Sequence, residues 1–94
     1  MNNEAIEYEK TLEGLKYQYS KRESIRYKLS TLLKNLDKYP YTKFTVRLDE
    51  YGYRRSHRYD SKDASRLMNI YNTIIAEQKT LQNDIDITKM EQLL

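Results

Sequence analysis

Pro40 is the only proline in this chain of 94 residues, and Gly14 and Gly52 are its only glycines. A proline inside a helix removes a backbone hydrogen bond and clashes with the preceding turn. It also pushes the residue before it, here Tyr39, into an extended conformation. Any long helix that begins near the N-terminus must therefore stop short of Pro40. Before that stop, apolar residues recur at Tyr8, Leu12, Leu15 and Tyr19, then at Ile25, Leu29, Leu32 and Leu36. Steps of three and four predict one amphipathic helix over about residues 3–37. Arg22 interrupts the stripe, so the helix there either opens to solvent or meets an acidic partner. A helix of this length is not held by propensity alone and must pack on something.

Beyond Pro40 the period changes from helical to two. In "KFTVRLD", Phe44, Val46 and Leu48 alternate with Lys43, Thr45 and Arg47. "YRRSHRY" alternates as well, and "DEYG" between them is a turn candidate with Gly52 able to take a positive φ. This pattern predicts a β-hairpin over about residues 42–59. A four-residue loop at 49–52 pairs Leu48 with Tyr53 and turns the tyrosines toward the core. A three-residue loop with a glycine bulge swaps the faces of the second strand. The first register separates apolar from charged residues more cleanly.

"DSKD" then opens a second helix over about residues 61–92, with Asp60 or Ser61 as cap and Asp63 in the first turn. Leu67, Tyr71, Ile74, Leu81 and Ile85 form its stripe, and Met68, Ile70 and Ile75 widen it. So wide an arc calls for two packing partners, the first helix and a second copy of the chain. The expected fold is a single α+β domain in the order α-β-β-α. Two long antiparallel helices flank the hairpin, mostly helical, as a homodimer or higher oligomer.

Composition narrows the chemistry. There is no cysteine and only one histidine, His57. Disulfides, thiolate nucleophiles and the usual zinc or haem ligand sets are thereby excluded, and no metal or cofactor is implied. No apolar run approaches the length of a membrane span, and the N-terminus is acidic and polar rather than leader-like. The reading is a cytoplasmic protein with no membrane partner. Frequent Lys, Asn, Ile and Tyr correspond to AT-rich codons, in keeping with a phage or mobile element.

The net charge of +3 hides a gradient. Residues 1–13 carry four Glu and one Lys, while residues 14–37 carry six Lys or Arg against two acids. Residues 38–66 carry eight Lys or Arg against four acids, and residues 67–94 carry two Lys against four acids. Antiparallel helices bring the two acidic ends to one pole and leave the middle of the chain basic, a layout that orients on a polyanion.

Within the basic zone, Lys43, Arg47, Arg54, Arg55 and Arg58 stand beside Tyr51, Tyr53 and His57. Arginine and lysine neutralise phosphates, and tyrosine rings offer faces on which bases stack. "KYQYSKRESIRYK", residues 16–28, repeats the mixture on a helix. These residues predict a non-enzymatic binding protein whose partner is nucleic acid or a host nucleoprotein complex that it inhibits or modulates. A homo-oligomeric interaction module, or one that sequesters a small anionic ligand, is the alternative. A metal-independent ribonuclease using His57 as proton carrier and the arginines as phosphate holders ranks behind both, since a lone strand histidine is ordinarily a plain polar residue.

Overall fold

The computed structural model describes residues 7–36, 48–53 and 59–94. Helix α1 spans Leu12–Asn35 and helix α2 spans Ala64–Gln92. A short helical turn at residues 7–9 precedes α1. Two 3-10 turns, Asp49–Tyr51 and Ser61–Asp63, lie between the long helices. The molecule is a slender helix pair measuring 52 × 27 × 18 Å.

Helix α1 starts later than its periodicity predicts, and the cause is local. Thr11 has extended backbone and acts as the cap: its Oγ1 accepts from the Gly14 N–H at 3.1 Å and donates to the Tyr8 carbonyl at 2.6 Å. That satisfies one of the helix's orphan donors. The chain before Thr11 folds back against Gly14. A Cβ built on Gly14 would lie 2.0 Å from the Tyr8 carbonyl oxygen, so only glycine admits this approach.

The second long helix enters through a reciprocal cap. Asp60 accepts from the Lys62 N–H at 2.9 Å, and the buried Asp63 reaches back to the Asp60 N–H at 2.9 Å. From there α2 runs unbroken through "NDIDITKM".

The helices lie antiparallel, because the late part of α1 meets the early part of α2. Leu29, Leu32 and Leu36 pack with Leu67, Ile70 and Ile74 in the larger core, joined by Leu48 and Tyr59. At the other end Leu15 packs with Leu81 and Ile85 in a smaller one. The apolar arc of α2 is only partly covered: Ile70 and Ile74 are buried, whereas Met68, Ile87 and Met90 are exposed.

The α-β-β-α expectation, and with it the basic hairpin, does not hold. Among the described residues there is no strand and no sheet. Residues 42–47 and 54–58, most of the predicted strands, lie outside the described residues. What is described contradicts a ribbon. Leu48, placed by the alternation at the end of the first strand, has φ −114° and ψ 19°, outside the β region, and leads straight into the 3-10 turn. The Leu48 carbonyl accepts from both the Tyr51 and Tyr53 N–H groups, at 3.0 and 3.2 Å, and Gly52 supplies the positive φ of 70°.

The physical reason is burial. A lone two-stranded ribbon is marginal in water. Leu48, 1% exposed, and Tyr59, 5% exposed, instead become part of the helix pair's core.

The fit at Gly14 is directly testable. Glycine to alanine inside a helix ordinarily gains about 0.5–1 kcal/mol. Here the methyl meets backbone, and Gly14→Ala is expected to destabilise by about 1–3 kcal/mol in urea unfolding. A neutral or stabilising effect would mean that the turn at residues 7–9 is not seated on α1.

Candidate functional site

Many of the cations and tyrosines that look available in the sequence are committed to holding the helices together. Between the two apolar cores lies a polar seam. Gln78 occupies the stripe position between Ile74 and Leu81 and is 3% exposed. It accepts from Arg26 Nη1 at 2.9 Å and donates to Glu23 Oε2 at 2.7 Å. Arg26 and Glu23 also approach each other at 3.4 Å.

One turn away, Arg22 Nε lies 3.4 Å from Glu77 Oε1, and the Tyr51 hydroxyl donates to that same oxygen at 2.6 Å. The Arg22 Nε–H is buried and makes no hydrogen bond, so its contact with Glu77 is electrostatic. The interruption of the α1 stripe at Arg22 is thus resolved by an acidic partner from α2. Nearer the surface, Lys21 Nζ meets Glu50 Oε1 at 2.7 Å and ties the 3-10 turn to α1. That hydrogen bond and charge hold the Glu50 carboxyl below the usual carboxylate range.

Of the predicted site residues, Lys43, Arg47, Arg54, Arg55, His57 and Arg58 lie outside the described residues. Tyr51 and Tyr53 are described, and both are half-buried against the larger core. Burial first, and the bond to Glu77 second, hold the Tyr51 phenol well above its ordinary range. Tyr53 donates to Asp63, lies 6.0 Å from the Tyr59 ring between centroids, and carries the Arg66 guanidinium 4.8 Å above its face. The hydroxyls of both tyrosines, and one face of Tyr53, are therefore used inside the protein.

The outer face of α1 is different. From Lys16 to Asn35 its only acid is Glu23, which the seam engages. Lys16, Lys28 and Lys34 have no ion-pair partner among the described residues, and all three are exposed. At about 100° per residue, Lys16, Tyr27 and Lys34 fall in one column, and Tyr17 and Lys28 in another. The exposed Ser20 and Ser24 lie between the columns. Tyr17 is 63% exposed and Tyr27 75% exposed. Their Cα atoms are separated by about 15 Å of helix rise. The face offers three lysines with no ion-pair partner among the described residues beside two open aromatic rings, with Glu13 one turn before Lys16.

A second basic feature flanks the start of α2. An open cleft of about 590 Å³ is lined by Tyr51, Lys62, Ser65, Arg66, Asn69 and Thr73, with Ile70 at its base. Sequence reasoning includes the α1 mixture but passes over this cleft, because its members come from two segments that only the tertiary fold brings together. The seam had a signal: the stripe of each helix is broken by a polar residue, Arg22 in α1 and Gln78 in α2. Comparison with known protein families, curated proteins and solved structures gives no match to this chain.

Two measurements check the seam. Glu77→Ala removes the counter-charge of Arg22 and the acceptor of Tyr51, and is expected to cost about 1–3 kcal/mol in urea unfolding. Glu77→Gln, which keeps an acceptor, should recover part of that loss. The raised Tyr51 pKa sets a pH dependence as well. Its contribution is complete below the unfolded phenol value of about 10 and is lost as pH rises above it, because the unfolded chain releases the proton first. Tyr51→Phe is expected to reduce the fall in stability between pH 8 and pH 11 relative to the parent; an unchanged fall would count against the buried donor.

Proposed function

We propose that this is a small non-enzymatic binding protein that contacts nucleic acid, free or held in a host nucleoprotein complex, through the outer face of α1. The observation that carries the reading is the pairing of Tyr17 and Tyr27, both more than 60% exposed, with Lys16, Lys28 and Lys34, which have no ion-pair partner among the described residues. Large aromatic rings left in water beside uncompensated cations suit a strand that brings both bases and phosphates. Stacking on such rings tolerates any base. Lysines without carboxylate partners lose no internal pair when a phosphate arrives, and each phosphate they neutralise releases counterions. The acidic pole formed by the chain termini favours an orientation in which α1's basic stretch faces the polyanion.

The test is binding to labelled single-stranded and duplex oligonucleotides across a salt series. Micromolar or tighter binding to single strands at physiological salt is expected. The triple change Lys16→Glu, Lys28→Glu, Lys34→Glu should weaken it at least about tenfold and reduce the log–log salt slope by about two. Tyr17→Ala with Tyr27→Ala should weaken single-strand binding about tenfold or more while leaving the salt slope unchanged. No binding at physiological salt, or binding indifferent to all five positions, overturns the assignment to this face.

A further inference from the structure

We propose that the cleft beside the start of α2 binds a nucleotide, that is, a phosphate monoester carrying a flat ring. This goes beyond the α1 face: the cleft is built from α2 and the 3-10 turn, and either site can fail without the other.

Size and chemistry both point to such a ligand. The cleft's volume, about 590 Å³, sits within the range of about 300–1,000 Å³ typical of small-molecule sites. Lys62, Ser65, Arg66 and Asn69 follow at helical spacing and present their donors along one wall. Lys62 has no ion-pair partner among the described residues. Arg66 uses one N–H, on Nη2, to bond the Gly52 carbonyl at 3.1 Å. That bond and the Tyr53 ring beneath it fix the guanidinium plane while leaving its other donors for an anion.

Among the described residues no carboxylate lines the cleft. Acids that flank its lining in sequence are engaged elsewhere: Glu50 with Lys21, and Asp60 with the Lys62 N–H. Glu77 is held by Tyr51 and Arg22, and Asp63 accepts from the Tyr53 hydroxyl and the Asp60 N–H. Tyr51, anchored through its hydroxyl, and Ile70 also line the cleft. A bare anion would leave these side chains wet, and an apolar ligand would leave two cations unpaired. A phosphate joined to a planar ring satisfies both.

The experiment is calorimetric titration of the full chain with the four common nucleoside 5′-monophosphates, and separately with adenosine and inorganic phosphate. At least one monophosphate is expected to bind with a Kd below about 1 mM, and at least about tenfold tighter than phosphate or the nucleoside alone. Lys62→Gln should weaken it about fivefold or more through loss of a charge-assisted contact. Lys62 is exposed and its side chain makes no bond among the described residues, so the variant should keep its far-UV dichroism. Lys79→Gln, elsewhere on α2, should bind as the parent does. The proposal is overturned if no monophosphate binds below that threshold. It is also overturned if inorganic phosphate binds as tightly as the best nucleotide, or if Lys62→Gln and Asn69→Ala both bind as the parent does.

Discussion

Gln78 is the residue on which the helix pair turns. A buried amide at a stripe position must have its donor and acceptor met, or it costs more than an apolar side chain would. Arg26 and Glu23 meet both. Because these partners lie on α1, the bonds form in one register of the two helices only. The apolar cores on either side of the seam would tolerate a slide more readily, since leucine and isoleucine contacts are not directional. The seam thus selects an alignment that the cores then stabilise. The Arg22–Glu77–Tyr51 set extends this to the connecting segment, since Tyr51 cannot reach Glu77 unless the 3-10 turn is seated on α2.

This commitment shapes what remains for function. Arg22, Arg26 and Lys21 face carboxylates or the seam amide, and Tyr51 and Tyr53 point their hydroxyls inward. The cations left over are not a random remainder. Lys16, Lys28 and Lys34 lie on the exposed side of α1 and have no ion-pair partner among the described residues, and Tyr17 and Tyr27 share that side. Lys62 and Arg66 lie where α2 begins, beside a turn whose own acids are engaged. Among the described residues, then, interior pairing takes up some charges and leaves positive groups on α1 and at the start of α2.

Much of the helical frame is legible from residue spacing. The stripes through Leu29, Leu32 and Leu36 and through Leu67, Ile74, Leu81 and Ile85 mark the buried faces, and the acidic caps at Asp60 and Asp63 mark an entrance. The middle of the chain is legible only in part. Gly52 supplies the turn that its lack of a side chain permits, but the alternation around it points to a ribbon that the described residues do not form. Period-two alternation says that every second residue wants burial. It does not say whether a partner strand or a pair of helices provides it, and here Leu48 and Tyr59 find it against helices. The candidate site follows the same rule. The lysine and tyrosine mixture of residues 16–28 is visible in the letters, whereas its division into engaged Arg22 and Arg26 and open Lys16 and Lys28 depends on which side of α1 meets α2.

What the sequence by itself determined is the local grammar: two long helices, a stop before Pro40, a turn at Gly52, and a basic middle between acidic ends. Each follows from properties carried by single residues or by spacing along one element. Only the tertiary structure decided which charges pair across the seam and which tyrosines remain in water. Those outcomes depend on distances between groups far apart in the chain. A buried polar group accepts only a partner that the packing of both helices brings within hydrogen-bond reach.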